Sequence, residues 1–187
     1  MSAAGVTGQR PDTELAVLAG GGDQAAFAEL MTRHRPRLYA VCRRITTNDQ
    51  DAQEALQETM IIAWKRLGEF DGRSAVGTWL YRVATNAAID EVRRRKRAPE
   101  PAEEVPEPTP ARGADGGVIA RMDVDRALAQ LPPQYRAVVV LREICDLSYT
   151  EIAELRGIPV QTVKSQLSRG RQALVELLTD RPAVRSA

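Results

Sequence analysis

A proline-rich acidic segment, residues 98–117, limits what this chain of 187 residues can fold into. It holds five of the eleven prolines, five acidic residues and a single large apolar side chain, Val105. A segment of this composition buries too little apolar surface to form a packed element, so it predicts a linker between two domains. The predicted division is a tail at 1–13, a first domain at 14–97, the linker, a second domain at 118–179 and a tail at 180–187.

Both predicted domains show the sequence periodicity of helices. Before the linker, apolar residues recur at three- and four-residue steps in stripes that begin near Phe27, Ala52 and Trp79. After the linker, residues 119–131 form another stripe, and polar flanks favour a helix over a strand for the apolar run 138–141. No stretch alternates apolar and polar residues for long enough to form a strand. The predicted fold class is therefore all-α.

The second domain contains the signature of a helix-turn-helix. Ser148 and Glu151 form a capping box that begins one helix, and Gly157 suits the left-handed turn before the next helix. The solvent face of that next helix carries amides, hydroxyls and cations but no acid, whereas an ordinary exposed helix usually mixes both signs of charge. This pattern favours a helix that enters the major groove of DNA. Its residues are Gln161, Thr162, Lys164, Ser165, Ser168, Arg169, Arg171 and Gln172.

Five cations, residues 93–97, follow the third stripe of the first domain. Cations at the C-terminus of a helix are often a solvated end favoured by the helix dipole, and Trp79 is typical of a core residue. However, six of the eight aromatic residues precede the linker, and aromatic faces beside a basic groove hold single-stranded DNA. The residues alone leave both interpretations open.

The second stripe carries an acidic face. Asp51, Glu54 and Glu58 lie near one side of the predicted helix, with Gln53 and Gln57 beside them. Such a face is usually only solvated. In a domain that otherwise suits nucleic acid, it also fits a protein partner with a basic surface.

The sequence shows no pattern of an enzyme. His34, the only histidine, falls on an apolar stripe, and no glycine-rich phosphate loop or nucleophile elbow is present. Cys42 and Cys145 are too few for a zinc ribbon and are expected to be buried thiols. We therefore predict no catalytic residue, metal or cofactor. The sequence has neither a secretory signal nor an apolar run near the roughly 18–20 residues of a membrane span, which predicts a cytoplasmic protein.

In their order and spacing, several blocks resemble the small bacterial sigma factors of the extracytoplasmic-function group. The blocks are residues 27–34, 51–64, 77–94, 128–136, 147–155, 162–165 and 168–171. The resemblance implies domains similar to sigma regions 2 and 4 and a promoter-specificity subunit without chemistry of its own. It implies core RNA polymerase (through its clamp helices and flap), promoter DNA and an anti-sigma protein as partners, and a stress- or signal-responsive gene set. A membrane-bound anti-sigma protein would hold the chain at the inner membrane face.

The resemblance also implies roles for individual residues. Docking on the clamp helices would use Asp51, Glu54, Gln57 and Glu58. Capture of the melted −10 element and its phosphates would use Arg73, Ser74, Trp79, Arg82, Asn86, Asp90, Arg93, Arg94 and Arg97. Recognition of the −35 element would use Gln161, Thr162, Lys164, Ser165, Arg169 and Arg171. The acidic linker would thread toward the polymerase active-site channel.

Three residues depart from the usual pattern of that family. Gln161 replaces a usual glycine and Gln166 a frequent arginine, and both are expected to touch the DNA-reading face. The promoter sequence therefore does not carry over from the resemblance. Gly170 stands where alanine is common, and glycine there should cost the helix about 0.5–1 kcal/mol relative to alanine.

Two other functions remain open at this point. A stand-alone helix-turn-helix regulator would bind duplex DNA without polymerase, but it leaves the acidic helix and the aromatic–basic segment without a use. An adaptor that only holds proteins together leaves the cation-rich final helix unexplained.

Overall fold

The computed structural model describes residues 10–97 and 116–179, with side chains in the second range described from residue 123. The fold in these ranges is all-α, as predicted, and contains no strand. The helices are α1 (Asp12–Gly20), α2 (Gln24–Thr46), α3 (Asp49–Arg66), α4 (Val76–Arg97), α5 (Gly116–Gln130), α6 (Pro133–Glu143), α7 (Tyr149–Arg156) and α8 (Val160–Thr179). A 3-10 turn, Leu67–Glu69, lies between α3 and α4. Helices α1 and α5 each begin two residues outside the predicted domain bounds. Apart from residues 10 and 11, the rest of the predicted tails and linker lies outside the described residues.

The first domain is a bundle of α1 to α4 around an apolar core. Asp23 caps the N-terminus of α2, where its side chain accepts hydrogen bonds from the backbone amides of Ala25 and Ala26. Asn48 caps α3 by accepting from the amide of Asp51. Side chains on the predicted stripes, such as Leu30 and Leu80, are fully buried between the helices. The bundle therefore fixes α3 and α4 side by side, which places the acidic and basic segments of the sequence next to each other.

The second domain consists of α5 to α8, and its helix-turn-helix forms as expected. Ser148 Oγ accepts from the amide of Glu151 at 3.2 Å, and the Glu151 carboxylate accepts from the amide of Ser148 at 2.8 Å. These hydrogen bonds lower the pKa of Glu151. Gly157 ends α7 with φ 62°, and Val163 on α8 is fully buried beneath the turn. The local signals in the sequence thus define this motif completely.

The middle of helix α6 is buried on all sides. Its six consecutive residues 136–141 are between 0 and 6% exposed, because α8 packs on one side and α2 and α4 of the first domain pack on the other. A helix that is apolar all round needs such double coverage. The two domains consequently share one continuous apolar core.

Gly170 allows α8 to approach α6 closely. A Cβ atom at this position would lie 2.8 Å from Cγ2 of Val139 and 3.4 Å from Cβ of Tyr135. A contact of 2.8 Å between carbon atoms is well inside their optimal separation, so alanine would force the helices apart. In the folded protein the propensity cost predicted for Gly170 is therefore opposed by a packing cost of the alanine that would replace it.

Candidate nucleic-acid and polymerase interface

The acidic face of α3 is smaller than its sequence indicates, because Asp51 is turned inward. The residue is 7% exposed and accepts hydrogen bonds from Nη1 of Arg95 at 3.0 Å and from Nδ2 of Asn48 at 2.6 Å. A buried carboxylate with two donors at the start of a helix has a structural role. Asp51 is thus removed from the exposed docking face on which it was predicted.

Glu54 joins this acidic face to the basic end of α4. Its carboxylate pairs with Arg94, which also pairs with Glu91 at 2.7 Å, and these contacts raise the pKa of Arg94, with Glu91 the largest cause. The predicted polymerase-docking and phosphate-binding segments are therefore adjacent and partly neutralise each other. Of the four predicted docking residues, Gln57 and Glu58 are exposed on α3.

A groove of about 700 Å³ lies between α2 and α3 beside these exposed residues. Its lining residues are Arg35, Pro36, Tyr39, Gln53, Leu56, Gln57 and Met60. Further along α3, Ile61 and Trp64 are 40% and 37% exposed, and Trp64 stacks edge-on against Phe27. An apolar floor with amide and guanidinium edges is typical of a surface that binds a helix of another protein. The α2 residues of the groove were missed by sequence reasoning because only the fold brings them beside α3.

The loop before α4 presents its polar residues to solvent. Arg73 has a side chain 89% exposed and contacts Asp71 at 3.1 Å, and Ser74 is half-exposed. Trp79 is half-buried, with its ring 6.0 Å from that of Phe70 in an edge-on contact. Trp79 therefore packs partly against the core. Its contact with single-stranded DNA stays a prediction.

Five predicted −10 residues form a line along α4, since they follow one another at three- or four-residue steps. They are Arg82, Asn86, Asp90, Arg93 and Arg97, which we call the α4 line. All but the half-buried Arg82 are exposed, and Arg93 contacts Asp90 at 3.2 Å. Arg82 lies 3.7 Å from Glu154 on α7, which belongs to the second domain.

Helix α8 exposes most of the predicted −35 residues. Gln161, Lys164, Ser165, Arg169 and Arg171 are exposed and Thr162 is half-buried. Gln166, in contrast, is half-buried with its amide oxygen inside the protein and without a hydrogen-bond partner. The amide oxygen of Gln166 thus faces inward, and the contact of this side chain with DNA stays a prediction.

Arg171 is held by a contact that the sequence did not indicate. Its Nε and Nη2 donate to Oε1 of Glu143 on α6 at 3.0 and 2.5 Å, and this pairing raises the pKa of Arg171. Tyr135, also of the α6 segment, accepts from Arg169 at 3.4 Å. Helix α6 thus positions two of the cations on the reading helix.

The remaining chemistry-bearing residues serve the fold. Cys42 and Cys145 are buried free thiols, and burial raises the pKa of each to about 12, so neither forms a reactive thiolate at neutral pH. His34 Nε2 lies 2.6 Å from a carboxylate oxygen of Asp12, which ties α1 to α2. Within residues 10–97 and 116–179, no group of three acidic, histidine or cysteine side chains could hold a metal ion. None of the helices described there has the length and apolar character to cross a membrane.

Two families match this chain, one for each domain: Sigma-70 region 2 over residues 30–98 and Sigma-70, region 4 over residues 121–174. The ECF RNA polymerase sigma factor SigW of Bacillus subtilis is 36% identical over 175 residues, which cover 85% of this chain and 92% of SigW. The ECF RNA polymerase sigma factor SigM of Mycobacterium tuberculosis is 36% identical over 171 residues, which cover 91% of this chain and 86% of SigM.

Two solved structures are similar over most of the chain. The sigma factor RpoE, in complex with the anti-sigma factor NepR from Bartonella quintana, superposes with a TM-score of 0.68 at 26% identity. That similarity covers 83% of this chain and 98% of RpoE. CnrH, in complex with the cytosolic domain of CnrY, superposes with a TM-score of 0.66 at 28% identity. That similarity covers 91% of this chain and 99% of the CnrH chain.

A region 2 domain followed by a region 4 helix-turn-helix defines the class of sigma-70-type transcription initiation proteins. The chain belongs to the extracytoplasmic-function (ECF) sigma factors and is a sigma subunit of bacterial RNA polymerase. Its partners are therefore core RNA polymerase and promoter DNA, and sigma subunits are not enzymes. The family predicted from the sequence is confirmed, and a stand-alone regulator is not favoured because it does not account for the region 2 domain.

Proposed function

We propose that this sigma subunit separates its tasks among three surfaces: the α2–α3 groove docks on core polymerase, the α4 line captures the −10 strand, and α8 reads the −35 element. The observation that carries this assignment is the α4 line, in which exposed guanidinium and amide groups follow one helix next to Trp79 and the loop of Arg73. Cations spaced along a helix can contact the phosphates of a single strand, and a half-exposed aromatic ring can stack on its bases.

Core docking is assigned to Gln57, Glu58 and the groove beside them. Gln57 lines the groove and Glu58 is exposed one residue further along α3, while Ile61 and Trp64 extend an apolar surface in the same direction. A partner helix with apolar residues on one face and basic residues at its edge fits this surface. Asp51 and Glu54 support it indirectly, because their pairs with Arg95 and Arg94 hold α3 against α4.

Strand capture is assigned to Arg73, Ser74 and Trp79 together with the α4 line and Arg94. A base that leaves the duplex costs a few kcal/mol, which contacts in a protein pocket must offset. Asn86 is exposed, and Arg73 is 89% exposed although it pairs with Asp71, whereas Asp90 pairs with Arg93. We assign Asp90 the task of orienting Arg93 towards the strand.

Duplex recognition is assigned to the exposed side chains at the N-terminal end of α8. Gln161 and Lys164 are exposed there, and Ser165 is tied by its hydroxyl to the carbonyl of Thr162 at 2.9 Å. Amide and ammonium groups at these positions reach base edges in the major groove, as in other helix-turn-helix proteins. Arg169 and Arg171 lie further along the helix, where they suit phosphates.

We further assign to this chain an anti-sigma partner and a gene set that responds to stress or to a signal. The support is that one of the similar solved structures is a sigma factor in complex with an anti-sigma factor. The chain would act in the cytoplasm, at the inner membrane face if that partner is membrane-bound. A native pull-down without inducing stress should recover a further protein in addition to polymerase. Recovery of polymerase subunits alone would contradict the assignment.

The test of the whole proposal is run-off transcription with purified bacterial core polymerase and pooled genomic fragments, with and without this chain. New start sites that depend on the chain are expected, and their alignment should reveal two conserved elements. A chain that shifts duplex DNA without producing any transcript would favour the stand-alone regulator instead.

A further inference from the structure

Helix α1 carries none of the residues assigned to a surface, yet it contacts both ends of the loop assigned to strand capture. The loop, residues 71–75, runs from the 3-10 turn Leu67–Glu69 to the start of α4. Helix α1 packs mainly on α2 and on this 3-10 turn. Its inner face is at most 2% exposed, at Leu15, Ala16 and Ala19. The helix is therefore firmly seated in the first domain.

At the entry to the loop, the backbone of α1 touches the backbone of the 3-10 turn. A Cβ atom on Gly20, the last residue of α1, would lie 3.0 Å from Cα of Gly68 and 3.2 Å from the carbonyl oxygen of Leu67. Carbon atoms prefer a separation of about 3.5–4.0 Å, so a side chain at Gly20 would push the turn away. The end of α1 thus sets the position of the turn that leads into the loop.

At the exit from the loop, His34 connects α1 to the start of α4. Its Nε2 lies 2.6 Å from Oδ2 of Asp12, the first residue of α1, and Arg33 lies 2.9 Å from the other oxygen of that carboxylate. A Cβ atom on Gly77, the second residue of α4, would lie 3.3 Å from Cε1 of His34. The imidazole ring therefore lies between the beginning of α1 and the first turn of α4.

The two contacts lie at opposite ends of α1. Asp12 and Gly20 are its first and last residues, so they are separated by about 12 Å along a straight helix. A helix keeps this length, because a change would break its backbone hydrogen bonds, and it therefore fixes the two ends of the loop relative to each other. Within the loop, the Asp71 carboxylate accepts from the amide of Arg73 at 3.1 Å. Fixed ends and this local turn together define the position of Arg73.

We propose that α1 is a positioning element for strand capture, which sets both ends of the loop so that Arg73 and Ser74 meet the −10 strand. The inference rests on the proposed role of the loop. Asp12 acts through His34 and Gly20 acts through the 3-10 turn, so both are positioning residues. A change at either alters strand capture but leaves core docking and −35 recognition intact, because the surfaces assigned to those tasks are the α2–α3 groove and α8.

The first pair of variants removes one charge from α1. Asp12→Asn weakens the contact with His34 and keeps the shape of the side chain. Glu14→Gln is the matched control, because Glu14 also lies in the first turn of α1 and its removal costs the helix dipole the same charge. The Glu14 carboxylate is about half exposed and pairs with Arg10 at 3.5 Å.

The second pair of variants adds one methyl group at the end of α1. Gly20→Ala pushes against the backbone of Gly68, where no flexible side chain can yield. Gly21→Ala is the matched control, because its Cβ atom would approach only the carbonyl oxygens of Leu18 and Val17 in α1 itself. Gly21 has φ −81°, which alanine adopts without strain.

The readout is run-off transcription by holoenzyme from a promoter fragment obtained with the pooled genomic fragments, with the chain in excess over core. Each test variant should lower the transcript yield about three- to tenfold relative to its control. Titration with labelled core should give the same core affinity for all four variants. If Gly20→Ala does not fold, the conservative Asp12→Asn still answers the question.

A loop variant, Arg73→Ala combined with Ser74→Ala, separates positioning from stability. In that background the loop has lost the side chains that α1 would position, so Asp12→Asn and Gly20→Ala should have no further effect. A helix that only stabilised the fold would lower the yield by the same factor in both backgrounds.

Each outcome has a distinct meaning. Equal yields of each test variant and its control would overturn the positioning role and leave the role of the loop intact. The same factor in both backgrounds would also overturn it, because α1 would then act through stability alone. A loop variant that transcribes as well as the unmodified chain would remove the loop from strand capture, and the role of α1 with it.

Discussion

Replacement of Gly170 by alanine gives a sharp test of how α8 is seated. Helix propensity favours the replacement by about 0.5–1 kcal/mol, whereas one methyl group forced into a packed contact costs about 1–3 kcal/mol. The added Cβ would lie 2.8 Å from Cγ2 of Val139, so the packing cost applies in full. We expect Gly170→Ala to destabilise the second domain by about 0.5–2 kcal/mol.

Native-state hydrogen exchange on α8 is the suitable assay, because it reports the free energy of opening for the second domain without unfolding the first. The expected loss corresponds to about 2- to 30-fold lower protection. Val139→Ala supplies the control: it removes the Cγ2 atom, so Gly170→Ala in that background should become neutral or stabilising. Equal protection for Gly170→Ala and the unmodified chain, or no coupling between the two substitutions, would refute the packing argument.

Three further outcomes follow from the surfaces. Glu58→Arg should weaken core polymerase binding at least about tenfold and leave duplex DNA binding intact, as measured by titration with labelled core; unchanged core affinity would remove Glu58 from the docking surface. Lys164→Ala should weaken duplex binding and keep core affinity. If Lys164 contacts a phosphate, the slope of log affinity against log salt concentration should fall by about one, whereas loss of a base contact would leave that slope unchanged. The pKa of Glu151 is lower in the folded protein than its ordinary value of 4.5, so its contribution to stability is present above that value and is lost as pH falls below it. Glu151→Gln should therefore lower stability at pH 7 and reduce the loss of stability on acidification. Thermal unfolding followed by circular dichroism, at pH 7 and below pH 4.5, measures both effects. A parallel pH dependence for the variant and the unmodified chain would exclude the cap as the cause.

Local signals in the sequence predicted the helix-turn-helix fully. The capping box of Ser148 and Glu151 and the positive φ of Gly157 depend on residues within a few positions, so the printed sequence contains all the information. The apolar run 138–141 likewise indicated burial, although the sequence could not show that the second cover of α6 comes from the other domain.

Contacts between helices could not be predicted from local signals in the sequence. The pairs of Arg95 with Asp51 and of Arg171 with Glu143 join residues 44 and 28 positions apart, and no periodicity along one helix indicates them. For the same reason the sequence did not indicate that the amide oxygen of Gln166 is buried, because burial on α8 depends on how this helix packs in the domain. The individual site residues remain a prediction, which the variants described above test.

The pairing of Arg94 with Glu54 has a thermodynamic consequence for initiation. If a basic polymerase surface competes for Glu54, it releases Arg94, and a phosphate that captures Arg94 releases Glu54 in turn. Binding free energies that share one internal contact are reciprocal: core polymerase must raise the affinity for the strand by the same factor by which the strand raises the affinity for core. One ion pair between neighbouring helices would thus make promoter capture and polymerase retention a single linked equilibrium.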